Sequence, residues 1–130
     1  MAVNPSAASL FDFGPLLHMM LLGAVIALGP LSWVWLRHRG ASVQQRLRVL
    51  TLLTLFLTFD LVVFGAFTRL TDSGLGCPDW PGCYGHMSPV GAKASITAAQ
   101  DAMPTGPVTH SKAWVEMIHR YLATAVGVLI

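Results

Sequence analysis

Two long apolar stretches constrain this chain more than any other feature of its sequence. Residues 16–36 contain no Asp, Glu, Lys or Arg, and residues 49–67 contain only Asp60. A helix rises about 1.5 Å per residue, so each stretch can cross a hydrocarbon layer of about 30 Å. A cleaved signal peptide is the alternative for the first stretch, but no basic residue precedes it. The sequence therefore predicts transmembrane helices at 16–36 and 49–67.

The composition supports a membrane protein and excludes several other classes. Hydrophobic residues make up 54% of the chain and charged residues 11%, whereas a soluble domain carries about 25% charged residues. This balance excludes a disordered chain, a collagen-like repeat and a nucleic-acid-binding domain, so no nucleic-acid partner is expected. Four arginines and no acidic residue lie in the connector 37–48. The positive-inside rule places this loop in the cytoplasm, and the tail 1–15 and the segment 68–113 outside.

Glycine and proline interrupt the outward segment 68–113, so only residues 92–102 are expected to form a short helix. Cys77 and Cys83 lie in this segment, on the side where an oxidising compartment favours a disulfide. They could form a structural staple or a redox-active dithiol that exchanges electrons with a partner. Zinc binding is disfavoured because the sequence has only these two cysteines and no histidine at a familiar ligand spacing.

Three ionisable residues, Glu116, His119 and Arg120, lie in a third apolar stretch, residues 114–130. The sequence stops within that stretch, so we expect a truncated third transmembrane helix of a larger bundle. Glu116 and His119 are three positions apart and should share one helix face. A neutral imidazole there could ligate haem iron, and the carboxylate could handle protons. The alternative is that the three residues only mark the interfacial end of the helix, with Arg120 reaching outward.

The remaining polar candidates have simpler alternatives. Arg69, at the outer end of the second stretch, could bind an anionic group such as a carboxylate or anchor the helix at the interface. Asp60 should face either the bundle interior or a polar group of a neighbouring helix, because exposure to lipid is costly, and a proton path and a buried hydrogen bond are both open as its role. His18 is expected at the interface, and His110 is expected to be an exposed loop residue rather than a ligand.

Two segments together resemble the haem A synthase family of cytochrome oxidase assembly enzymes, of the CtaA type. They are FGAFTRLTDSGLGCPDWPGCYG, after the second stretch, and PTGPVTHSKAWVEMIHRYLATAVGVLI, which includes EMIHR. The resemblance covers about residues 50–130 and implies a membrane protein of two related four-helix halves. In this family the motif follows the first membrane helix, whereas here it follows the second. Residues 16–36 therefore look like an added N-terminal helix.

The resemblance also implies an activity and roles for individual residues. The family oxidises a methyl group of haem O to the formyl group of haem A, with haem b as a cofactor. His119 would be an axial ligand of haem iron, Glu116 the catalytic acidic residue, and Arg69 and Arg120 partners of haem carboxylates. Cys77 and Cys83 match a cysteine pair of the outer loop, for which a disulfide or a redox role is proposed.

The predicted protein is thus an all-α integral membrane protein with two complete transmembrane helices and a truncated third. We expect it in the bacterial inner membrane with the cysteine loop on the periplasmic side. Expected partners are membrane lipid, haem O, haem O synthase and subunits or assembly factors of cytochrome oxidase. Two alternatives remain at this point: a membrane thiol oxidoreductase that uses the cysteine pair, and a non-catalytic assembly subunit.

Overall fold

The computed structural model describes residues 13–130, which form four α-helices in chain order. Their bounds are α1 Gly14–Arg37, α2 Val43–Leu70, α3 Lys93–Ala102 and α4 His110–Leu129. Within this part of the chain, the only β pairing is an isolated bridge between Cys83 and His86. Most of the predicted outward tail, residues 1–15, lies outside the described residues.

The helices α1 and α2 form a hairpin with a shorter connector than the sequence suggested. α1 begins at Gly14 with a proline in its first turn, where the missing N–H is not needed. α2 begins at Val43, six residues before the predicted span, because the Ser42 hydroxyl accepts a hydrogen bond from the backbone N–H of Gln45 at 3.2 Å. Arg46 closes the hairpin, since its Nε donates to the His38 carbonyl at 2.9 Å.

By length and composition, α1 and α2 are the two described helices that could cross a membrane. α4 begins at His110, four residues before the predicted third span, because the Thr109 hydroxyl accepts from the backbone N–H of Lys112. Three charged residues, Lys112, Glu116 and Arg120, make α4 less apolar than α1 and α2, whereas the stretch from Tyr121 onward carries no charge.

α4 lies between α1 and α2 and provides the packing surface for both. On α1, the buried residues Met19, Gly23 and Ala27 recur every fourth position and form one stripe. A Cβ on Gly23 would lie 2.4 Å from the Thr124 side chain, so the two helices are in direct contact at this point. Small residues four positions apart allow membrane helices to approach closely. The added N-terminal helix is therefore an integral part of the bundle.

The segment between α2 and α4, residues 71–109, is called the outer segment after its predicted side of the membrane. It packs over the N-terminal half of α4 and the start of α1. Its buried core joins Ile96 of α3 with residues of α1, α4 and the cysteine loop: Met19, Cys77, Cys83, Ala92, Ala113 and Met117. α3 begins at Lys93, one residue after its predicted start. The glycine-rich and proline-rich segment is thus a folded cap on the bundle, held by apolar burial as well as by turns.

Asp60 does not face the interior of the described bundle. It is exposed on α2, as are its apolar neighbours Phe59, Val62 and Val63. The face of α2 that meets α4 instead carries Phe64, and further residues of that face are described with the site below. Residues 13–130 therefore do not cover Asp60, and the expectation that it faces the bundle interior or a neighbouring helix stays a prediction.

Candidate functional site

One cavity of about 700 Å³ brings together most of the predicted site residues. It lies between the outer ends of α2 and α4 and the loop that follows α2. Its volume is within the range of about 300–1,000 Å³ that is typical of small-molecule sites. Glu116, His119, Arg120 and Arg69 all line it, together with Gly65, Thr68, Asp72, Gly74 and Leu75.

His119 presents an imidazole that no hydrogen bond restrains within residues 13–130. Its ring contacts the Phe64 ring at a centroid separation of 6.0 Å. A Cβ on Gly65 would lie 2.9 Å from Nε2, so the glycine of α2 makes room for the imidazole, which lines the cavity. His119 is half-buried. The arrangement suits a ligand that approaches Nε2 from the cavity.

Glu116 is buried, and both of its carboxylate oxygens are occupied. Oε2 accepts a hydrogen bond from the backbone N–H of Cys77 at 2.8 Å. Oε1 forms a salt bridge with Nη2 of Arg120, one helical turn further along α4. The side chains of the pair are only 8% and 14% exposed. Because unpaired buried charges are strongly destabilising, this pair fixes the wall of the cavity and the start of the cysteine loop together.

Arg120 clamps the outer loop onto α4. Its Nη1 donates to the carbonyl oxygens of Asp79 at 2.8 Å and Gly82 at 2.7 Å. The next residue, Tyr121, donates its hydroxyl to the carbonyl of Met87. The guanidinium therefore points into the protein, rather than outward to the interface, and its Nη atoms are already engaged. This geometry does not support Arg120 as a partner of haem carboxylates.

Among the residues that line the cavity, Arg69 is the cation that is available to bind a ligand. It is exposed at the outer end of α2 and forms no ion pair within residues 13–130. Asp72, which also lines the cavity, is instead paired with Lys112 at 3.0 Å. An unpaired guanidinium can bind a carboxylate or phosphate in a bidentate manner. The structure therefore keeps Arg69 as a candidate for binding an anionic group.

Cys77 and Cys83 form a disulfide, which confirms that part of the sequence prediction. Cys77 is 3% exposed and Cys83 is 0% exposed. Thiol exchange requires access to a sulfur atom, so this burial favours the structural staple over the exchanging dithiol. Positive φ angles at Tyr84 and Gly85 turn the chain back after the second cysteine, and the Asp79 carboxylate accepts from both of their N–H groups.

The other histidines take no part in the cavity. His18 is exposed at the start of α1, as expected, and lines a separate small cavity with His86. His110 is the first residue of α4, and its Nε2 is hydrogen-bonded to the Thr97 hydroxyl at 2.9 Å. In the part of the chain that the structure describes, no three His, Cys, Asp or Glu side chains are placed to hold a bare metal ion.

Sequence reasoning missed Gly65 and the contacts that hold the outer loop. A signal for Gly65 was present, because a single glycine inside an apolar helix often marks a close approach. The sequence contains no comparable signal that the Asp79 carboxylate caps a turn, or that the Tyr121 hydroxyl donates to the carbonyl of Met87. These contacts join residues that are distant in the sequence.

Comparison with known proteins assigns this chain to a family. The family model described as cytochrome oxidase assembly protein, COX15-CtaA, matches residues 48–130. The chain belongs to this family. The match covers both of the motifs on which the resemblance rests, and the resemblance is confirmed. Together with the two long apolar helices, it identifies an all-α integral membrane protein.

The similar curated proteins are bacterial haem A synthases. The chain is 47% identical to the protein named Heme A synthase from Shewanella oneidensis over 78 residues, which are 60% of this chain and 24% of that protein. It is 39% identical to the one from Bacillus pumilus over 64 residues, which are 48% of this chain and 21% of that protein. The match therefore spans about a quarter of the length of these relatives. No solved structure matches the chain.

Proposed function

We propose that this chain is the N-terminal, substrate-handling part of a haem A synthase, in which His119 is an axial ligand of haem iron. The observation that carries the proposal is the imidazole of His119, which lines a cavity of about 700 Å³ and has no hydrogen-bond partner within residues 13–130. A haem site would need few protein ligands, because the porphyrin supplies four nitrogen ligands of the iron and His119 would supply one more. The absence of a three-residue metal cluster among residues 13–130 is thus compatible with a haem site.

The substrate would be haem O, whose methyl group is oxidised to a formyl group, with haem b as the cofactor of the complete enzyme. The haem iron would supply the oxidising chemistry when bound. The role of residues 13–130 would be to hold and orient the substrate. His119 would fix the iron, and Arg69 would bind a carboxylate of the porphyrin at the outer end of the cavity.

Glu116 contributes to this site through position. It lines the cavity, yet one oxygen holds the Cys77 backbone and the other holds Arg120. As a positioning residue it would keep the cysteine loop and the α4 wall in place around the ligand. The direct catalytic role predicted for Glu116 from the sequence stays a prediction, since it would require one oxygen to leave its partner.

The membrane orientation follows from charge. The arginine-rich turn between α1 and α2 would lie in the cytoplasm and the cysteine loop in the periplasm of a bacterial inner membrane. The haem cavity would then open near the periplasmic surface. Haem O synthase would supply the substrate, and cytochrome oxidase subunits or assembly factors would receive the haem A.

A comparison of two histidine variants tests the proposal. The protein is purified from membranes of cells that supply haem O, and its haem is extracted and separated by chromatography. We expect haem A with the wild type and none with His119→Ala. The matched control is His110→Ala, on the same helix but bonded to Thr97 and outside the cavity. Equal haem A production by the wild type and the His119 variant would contradict the proposal.

A further inference from the structure

An apolar groove lies between α1 and α2, at the end of the hairpin where the arginines cluster. Its volume is about 260 Å³. Leu31 and Val34, in the last two turns of α1, form one wall, and Leu47 and Leu50, in the first two turns of α2, form the other. All of its lining residues except Arg46 are apolar. The groove therefore suits an apolar chain that enters close to the ends of the two helices.

Arg46 connects the groove to the turn between the two helices, residues 38–42. Its Nε donates to the His38 carbonyl at 2.9 Å, and its Nη2 donates to the Arg39 carbonyl. The guanidinium also lies over the ring of Trp35, 4.9 Å from the ring centroid. Trp35 and Arg46 both line the groove. Arg39 is therefore held by its own backbone at the mouth of the groove.

The arginines at this end of the hairpin carry positive charge that no neighbouring acidic side chain balances. The sequence contains no Asp or Glu between positions 13 and 59. Arg37, Arg39 and Arg48 are exposed, and none of the three forms an ion pair within residues 13–130. Unpaired guanidinium groups bind phosphate well. The charge and the groove together are complementary to a phosphate that carries an acyl chain.

The position of the groove favours a phospholipid over a soluble anion. Both walls belong to helices that are long and apolar enough to cross a membrane. Trp33 and Trp35 are exposed at the same end of α1, and tryptophan is enriched at membrane interfaces. Basic pockets between membrane helices on the cytoplasmic side bind anionic headgroups. The family model begins at residue 48, so the turn and the α1 wall lie outside the family match.

We propose that the hairpin of α1 and α2 binds an anionic phospholipid, with its phosphate against Arg37 and Arg39 and one acyl chain in the groove. Arg46 holds the turn in place for this contact and adds a positive charge beside the phosphate. The site goes beyond the proposed role of His119 and does not depend on it.

The test measures the affinities of the purified full-length protein for two phospholipids in an uncharged detergent. The lipids are phosphatidylglycerol, which is anionic, and phosphatidylcholine, which is neutral overall, with identical acyl chains. Native mass spectrometry gives the lipid-bound fraction during each titration. We expect the wild type to bind phosphatidylglycerol about 25-fold more tightly, because each of two arginines near an anionic headgroup contributes about fivefold.

A pair of arginine variants separates a defined site from general attraction to positive charge. Arg39→Gln should weaken binding of phosphatidylglycerol about fivefold and leave phosphatidylcholine unchanged. The matched control is Arg48→Gln, which removes the same charge from an exposed side chain. Positions 43, 46, 47 and 50 of α2 line the groove and share one face, so Arg48 lies on another face. The control should bind both lipids like the wild type.

A second pair of variants tests the groove. Leu31→Trp fills it, whereas Leu28→Trp places the same side chain at an exposed position of α1 that does not line it. Because the acyl chain is common to both lipids, we expect Leu31→Trp to weaken the binding of both about tenfold, as is typical when an apolar pocket loses a fitting group. Leu28→Trp should leave both affinities unchanged.

Three results would overturn the proposal. The first is equal affinity of the wild type for the two lipids. The second is an equal loss in Arg39→Gln and Arg48→Gln, which would indicate attraction to the total charge of the hairpin. The third is wild-type affinity in folded Leu31→Trp. If Leu31→Trp does not fold, the two arginine variants decide, because both of these side chains are exposed.

Discussion

Replacing Gly65 with alanine tests the close approach of α2 to the imidazole of His119. The added Cβ would lie 2.9 Å from Nε2, whereas ordinary contacts of such an atom begin at 3.4 Å. The imidazole or α2 must therefore move by about 0.5 Å, in a kind of site where 1 Å of misplacement can cost about a hundredfold. We expect haem binding about tenfold weaker than in the wild type, which corresponds to about 1.4 kcal/mol.

The control is Gly127→Ala, because a Cβ on this glycine of α4 would meet nothing within 4 Å and no proline follows it. Alanine is favoured over glycine inside a helix by about 1 kcal/mol, and this gain applies to both variants. The difference between them therefore isolates the contact with His119. The assay is a Soret titration with haem b in detergent, together with thermal unfolding. Wild-type affinity in Gly65→Ala would refute the reasoning about this contact.

Three other variants probe the packing around the site. Glu116→Gln leaves Arg120 without its buried partner and should lower the free energy of unfolding by about 3 kcal/mol in a denaturation experiment; a loss below about 1 kcal/mol would speak against the buried pair. Gly23→Ala should destabilise the protein by about 1–3 kcal/mol, because its Cβ would overlap Thr124; thermal unfolding at or above the wild-type temperature would argue against the close helix contact. Lys112→Ala should change stability by less than about 1 kcal/mol, since its partner carboxylate is 80% exposed; a larger change would assign this ion pair a structural role.

Several features were predictable because they depend on local chemistry. The apolar stretches predict α1 and α2, and the two cysteines in a short, turn-rich segment predict a disulfide. The helix starts were harder to place. Ser42 and Thr109 cap α2 and α4 and start both helices earlier than hydropathy alone suggests.

The partners of the charged side chains were not predictable to the same extent. Arg120 looked free to bind a ligand, but it is engaged by carbonyls about 40 positions away along the chain, at Asp79 and Gly82. Asp60 was expected to face the interior or a neighbouring helix, and within residues 13–130 α2 turns another face to α4. In both cases the sequence shows where the charge lies, but the rotation and packing of the helices determine which groups the charged side chain contacts.

The sequence by itself determined the membrane class, the family and the residue types at the site, because hydropathy and motif spacing depend only on the order of the residues. Only the tertiary structure decided that Gly65 makes room for the imidazole of His119 and that Arg69 stays unpaired within residues 13–130. It also decided that Arg46 holds Arg39 at the mouth of a groove between α1 and α2. These features depend on how three helices pack against one another, and that packing is set by contacts between residues far apart in sequence.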